Sequence, residues 1–230
     1  TRVLPVAFES QFPPLALGLI TAYAMQYEDG RLNDHYHFPP AWITDAGRID
    51  PLLDEPAVVL VSNYLWSHQR CLELSAHIKA RSPGSIIIHG GPNTPKYRED
   101  VESYFAMHPD VDVTVRGEGE ATTAEILDRL TGALGDGPPD TSRLRGVAGI
   151  SFRDGDTIVH EPDRERLADL DTIPSPLLTG LFDAWKGVPG AQVILETNRG
   201  CPYGCAFCDW GSATASRIRK FSIERVFAEL

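Results

Sequence analysis

A chain of 230 residues, 42% hydrophobic and 23% charged, carries enough apolar material for one large core or two modest ones, which excludes a disordered protein. Its net charge of -11 at pH 7 sets it against a phosphate backbone, so nucleic acid is not expected as a partner. No apolar run reaches the roughly 18 residues of a membrane span, and Glu9 interrupts the opening segment where a signal peptide would stay apolar, so the expectation is a cytoplasmic protein with no membrane partner.

Through about Leu134, short β-rich apolar runs alternate with helical stretches, the pattern of a parallel sheet covered by helices on both faces. Strands are expected at Arg2 to Phe8, weakly near His35 to Phe38, and at Ala57 to Ser62, Ser85 to His89 and Val111 to Val115. Helices are expected at Leu15 to Tyr27, His68 to Arg81, Lys96 to Met107 and Thr122 to Leu134, the last with Leu127, Leu130 and Leu134 at helical spacing. This is an α/β pattern matching a flavodoxin-like, Rossmann-type domain, whose ligands sit beyond the carboxyl ends of the strands. The loops to inspect are therefore Glu9 to Pro14, Asn63 to Ser67, Gly90 to Thr94 and Arg116 to Glu120.

Residues 135–143, GDGPPDTSR, are turn chemistry, which places a first domain over 1–135, a linker or bridging segment over 136–190 and a third unit over 191–230. Within the bridging segment, VAGISFRDGDTIVHEP reads as a hairpin turning at Asp154-Gly155. A short strand at Gln192 to Glu196, a cysteine loop and a helix beginning at Ser222 follow.

Of the four cysteines, Cys201, Cys205 and Cys208 fall within eight positions, while Cys71 stands alone upstream. A disulfide framework would spread and pair them, so the clustering points to reduced thiolates on a metal. A C-x3-C-x2-C loop can give one thiolate to each of three irons of a cubane, leaving the fourth iron open to a bound molecule. Gly200, Gly204 and Gly211 let the backbone wrap closely around such a group. Zinc is the competing reading, but it needs a further ligand that only Asp209 or a distant histidine would supply. Cys71, alone in a helix, reads as a small buried hydrophobe, and His35 and His37 lack a third ligand nearby. Gly117-Glu118-Gly119 opens like a dinucleotide-binding loop, but Thr122 stands where the third glycine belongs and two carboxylates would face a pyrophosphate.

With Phe207 immediately before the third cysteine, this loop resembles the signature of the radical S-adenosylmethionine (SAM) superfamily. The resemblance implies that Cys201, Cys205 and Cys208 hold a 4Fe-4S cluster, that the open iron chelates SAM, and that Phe207 packs near the adenine. It also implies an external electron donor, a flavodoxin or ferredoxin, for reductive cleavage of SAM to a 5'-deoxyadenosyl radical. A flavodoxin-like domain ahead of such a loop is similar to the cobalamin-dependent, class B methyltransferase-like branch, and Gln11 to Gly18, Gly90-Gly91-Pro92 and Gly117 to Glu120 match its usual appearance. The cobalamin contacts implied are Tyr64, Trp66, Gly90, Gly91, Gly117, Glu118 and Gly119.

No histidine lies in a D-x-H-x-x-G motif, so no imidazole is expected on the cobalt; Trp66 is expected to block its lower face, with Tyr64 as the substitute. The implied fold is a cobalamin-binding domain followed by the start of a radical SAM partial barrel. The implied reaction is methylation of an unactivated carbon of a small-molecule or peptide substrate, one SAM charging cobalamin with methyl and a second supplying the radical. A cobalamin-containing cyclase or rearrangement enzyme and a non-catalytic cobalamin-binding module are the alternatives. Residues 191–230 correspond to only the first βα unit of such a barrel, so a longer protein is expected.

Overall fold

The runs VLPV, VVLVS and IIIHG are apolar at nearly every position, which suits strands covered on both faces rather than one. In the computed structural model, which describes residues 1–8, 12–39, 42–43, 45–135, 137–208 and 217–230, they form β1 (Val3–Val6), β2 (Val58–Ser62) and β3 (Ile86–Gly90). With β4 (Val113–Val115) they make a parallel sheet in chain order. Alternate residues point to opposite sides. Val3, Leu60, Ile88 and Val113 pack with α1 (Leu15–Gln26) and α4 (Gly119–Arg129), while Leu4, Val59 and Ile87 pack with α2 (His68–Arg81). Each such fully buried Val, Leu or Ile contributes about 1.5–3 kcal/mol relative to exposure. The helix α3 (Arg98–Met107) adds a satellite cluster around Phe105 against Leu72 of α2.

The weak strand expected near His35 to Phe38 is reduced to two isolated parallel bridges beside β1, Arg2 to His37 and Val6 to Ile43. Pro39 removes a donor between them, so a continuous ladder cannot form. Counting this segment, the spatial order is that of a flavodoxin-like sheet, with the second segment outside the first. The expected helix from Thr122 to Leu134 starts earlier, at Gly119, and stops at Arg129, where the chain turns through Gly132 at φ +69°.

The hairpin forms as β5 (Ile150–Asp154) and β6 (Thr157–His160), turning at Gly155 and Asp156 rather than Asp154-Gly155. It is not set apart from the sheet: β5 pairs antiparallel with β4 and β6 extends the sheet to six strands. The strand expected at Gln192 to Glu196 is absent; Val193 and Ile194 are 49% and 48% exposed. The local pairing falls instead between β7 (Asn198–Arg199) and β8 (Arg219–Lys220), an antiparallel ribbon at the two ends of the cysteine loop. Helix α5 (Ile223–Glu229) begins where the sequence suggests, with the Ser222 hydroxyl accepting the Arg225 N–H at 3.2 Å.

Candidate functional site

A cavity of about 400 Å³ lies at the carboxyl ends of the parallel strands. It is lined by Leu60, Val61, Ser62 and Ile88 from the strand ends, by the entry to α1 between Pro13 and Ile20, and by Gly117 to Glu120. Ile194, Glu196 and Arg199, from the segment leading into the cysteine loop, also line it. The size is that of a small-molecule site, and the position is where an open α/β sheet binds ligands.

The glycines around this cavity divide by what a side chain would meet. At Gly90 and Gly117 an added Cβ would find no atom within 4 Å, so both present bare backbone to open space. At Gly91 and Gly119 it would stand 2.7 Å from the Asn63 carbonyl oxygen and 2.8 Å from Ile20 Cδ1, so these two serve close approach within the protein.

Glu118 and Glu120 face the loop that carries the cysteines. The Arg199 guanidinium donates to Glu120 Oε1 at 2.6 Å and to Glu196 Oε2 at 2.9 Å. The Arg219 guanidinium takes both oxygens of Glu118, one at 3.0 Å, and also donates to the Leu167 carbonyl at 2.6 Å. Burial pushes the Glu118 carboxyl up, but hydrogen bonding from Arg219 and the charge of Arg199 outweigh it and hold it below the usual carboxylate range. Burial opposes charge on Arg199 as well, and Glu120 and Glu196 more than offset it.

Between those arginines runs the cysteine loop. Cys205 is exposed, Cys201 and Cys208 are half-buried, and none is in a disulfide. Gly200 at φ +108° turns the chain out of β7, and the Cys208 N–H donates to the Cys205 carbonyl at 3.0 Å. Among the described residues no three metal-ligating side chains converge, so the thiols share one loop without being drawn to one point.

No family model matches the sequence. Over 227 residues the chain is 38% identical to the 2-(S-pantetheinyl)-carbapenam-3-carboxylate methyltransferase of Streptantibioticus cattleyicolor, covering 95% of this chain and 31% of that one. It is 37% identical over 229 residues to the cobalamin-dependent radical SAM methyltransferase TokK of Streptomyces tokunonensis, covering 96% and 32%. The solved structure of the cobalamin-dependent S-adenosylmethionine radical enzyme OxsB, with aqua-cobalamin and S-adenosylmethionine bound, shares the fold at a TM-score of 0.70 and 23% identity, covering 99% of this chain and 31% of that one. Over nearly its whole length the chain is similar to one part of each of these two methyltransferases. It spans about a third of the length of these relatives.

Of the residues named as cobalamin contacts, Tyr64, Gly90, Gly91, Gly117, Glu118 and Gly119 line the cavity. Trp66 does not line it; the side chain is 70% exposed and stacks on Tyr64, ring centroids 4.7 Å apart. Phe207 is 92% exposed and does not line the cavity. Trp210, Gly211 and Asp209 lie outside the described residues, as do Glu9 to Gln11. Cys71 is buried on the sheet-facing side of α2, with its thiol 3.6 Å from the Ser62 carbonyl, in keeping with a packing role.

Nothing in the sequence singles out Arg199, Glu196 or Arg219. Nor does it reveal the buried network beneath the Asn63 loop. The Ser75 hydroxyl donates to the Cys71 carbonyl at 2.8 Å, so the His89 Nε2–H donates to Ser75 Oγ at 2.9 Å. His89 Nδ1 is then the acceptor for Asn63 Nδ2 and the Tyr104 hydroxyl, both at 3.3 Å, and Asn63 Oδ1 accepts from His68 Nδ1 at 3.1 Å. Complete burial, reinforced by His68 and His108, pulls the His89 pKa down to about 3 and keeps the ring neutral. The network fixes Asn63, and with it the start of the loop that carries Tyr64 and Trp66.

Proposed function

We propose that this chain is the cobalamin-binding and cluster-holding part of an enzyme that methylates an unactivated carbon of a small-molecule or peptide substrate. One observation carries the reading: a strand-end cavity with bare backbone at Gly90 and Gly117 is walled on one side by Ile194, Glu196 and Arg199, the approach to the cysteine loop. Two cofactors held at those two places would flank a single substrate, which is what a transfer between them needs.

The residues fit both groups. Open backbone at Gly90 and Gly117 suits the broad face or nucleotide tail of cobalamin, and Tyr64 with Trp66 stacked on it supplies aromatic surface at the cavity's edge. Gly91, Gly119 and Glu118 set the shape and charge of that wall. Three thiols on one short loop, with a half-buried, ion-paired entrance at Arg199, are the donor set of a site-differentiated 4Fe-4S cluster, and Phe207 is the candidate contact for SAM. When bound, these groups supply a hydrogen-abstracting radical and a transferable methyl. In this reading residues 1–135 bind cobalamin, 136–190 bridge and complete the sheet, and 191–230 open the radical domain. Electrons come from an external flavodoxin or ferredoxin in the cytoplasm.

Anaerobic purification of the longest form, reconstitution with iron, sulfide and hydroxocobalamin, and metal analysis test this. The expected result is about four irons and one cobalt per chain, with the irons lost and the cobalt kept in the Cys201→Ala, Cys205→Ala, Cys208→Ala variant. Zinc in place of iron, or failure to retain cobalamin, overturns it.

A further inference from the structure

The cysteine loop is tied to the body of the fold at both ends, and the two ties differ. At its exit, Phe221 is buried against Leu19, Leu170 and Ile173, so ordinary packing holds the chain. At its entrance, residues 191–196 have no strand partner among the described residues, and β7 pairs with β8 over only two residues. What fixes the entrance is Arg199, whose side chain is 12% exposed and whose partner Glu120 is 4% exposed.

Glu118 and Glu120 belong to the turn that starts α4 at the strand-end cavity, 101 and 79 positions from the arginines they hold. Both ion pairs are therefore long-range, largely removed from water and two-pronged at Arg219, the geometry in which a guanidinium fork sets orientation as well as separation. Five charges sit together, Glu118, Glu120 and Glu196 against Arg199 and Arg219. An interface of this kind is weak evidence for net stability, since apolar packing would serve as well, and better evidence for register.

We infer that Glu118 and Glu120 are positioning residues that grip the two stems of the cysteine loop and set its distance from the strand-end cavity. The inference rests on the proposed function for the identity of what is being spaced, and not for the clamp itself. It assigns the acidic pair of the Gly117 to Glu120 turn to the protein's own arginines.

The test is Glu118→Gln, Glu120→Gln in the full chain, which removes both carboxylates without touching the loop. Hydrogen exchange of the amides in 197–208, measured with no cofactor present, is expected to speed up at least tenfold while the amides of β2 and β3 keep their protection. In the reconstituted form, the separation between the reduced cluster and cob(II)alamin, read by pulsed electron paramagnetic resonance, is expected to change from one narrow distribution to a broad or longer one. Should the double variant fold poorly, Arg199→Lys, Arg219→Lys keeps the charges and removes the forks, and a smaller change of the same sign is expected. Unaltered exchange in 197–208 overturns the clamp. An unaltered distance with faster exchange overturns its role in spacing. Because the exchange measurement needs no cofactor, it decides the clamp even if the metal assay fails.

Discussion

Gly91 lies against the backbone of Asn63, close enough that a β-carbon there would stand 2.7 Å from the Asn63 carbonyl oxygen. The Asn63 N–H in turn donates to the Gly90 carbonyl at 2.7 Å, and the Asn93 N–H to the Asn63 carbonyl at 3.2 Å. The loops after β2 and β3 are thus joined through main chain at the cavity's edge.

Gly91→Ala should therefore be costly, since Gly91 has φ +104° and the obstructing atom is backbone. A loss of about 1–3 kcal/mol is expected in chemical denaturation. Gly90→Ala adds the same methyl one residue earlier, into open space, and should leave stability within about 0.5 kcal/mol; under the proposed function it should lower cobalamin retention.

Acid should loosen the fold through His89. Unfolded, its imidazole takes a proton near the ordinary value of 6.5; folded, only near 3, so between those values the unfolded chain holds the extra proton. Stability is then fully present above pH 6.5 and falls as pH drops through that window, by up to about 1.4 kcal/mol per pH unit for one group. His68 and His108, also lowered by burial, face the same cluster and add to the slope. Urea unfolding at pH 7 and pH 5 should show a shallower dependence in His89→Gln than in the parent.

Trp66→Ala should separate folding from ligand environment. The residue is 70% exposed, so the unfolding midpoint should barely move. Under the proposed function the visible spectrum of bound cobalamin should change, and a spectrum identical to the parent's would remove Trp66 from the site.

Lys79→Met should destabilise by about 3 kcal/mol or more, because it strands a buried carboxylate. Asp112 accepts from the Ile87 N–H at 2.6 Å and pairs with Lys79 at 2.7 Å. Burial already pushes the Asp112 carboxyl up, with Lys79 opposing it. The double variant Lys79→Met, Asp112→Asn should recover part of the loss.

The sheet is legible in the sequence because β2 and β3 are unbroken runs of β-branched and apolar residues, a signal that needs no knowledge of neighbours. The hairpin is legible from two short alternating runs flanking a glycine, with its turn one residue later than the Asp-Gly pair suggests, but its pairing with β4 is not, since nothing within residues 150–160 says which strand they join. The cysteine loop is a local motif and could be read directly. The arginines at its ends could not, because an arginine near a loop looks the same whether it meets water, a ligand or a glutamate 101 residues away. Residues 191–196 carry a strand-like composition, yet backbone pairing is a property of two segments, and no second segment among the described residues meets them. His89 likewise ends a readable strand, while its partners come from α2, α3 and the Asn63 loop.

The sheet margin beside β1 has a consequence for how copies of this chain meet one another. Among the described residues, it is occupied by a segment that bridges to this edge at His37 and Ile43 and carries Pro39 between them. An intruding strand would find there neither a straight template nor an even row of donors, so growth of the sheet from one molecule to the next is blocked on this side. The opposite margin is β6, four residues long and more exposed, and any sheet-to-sheet aggregation in a destabilised variant should begin there.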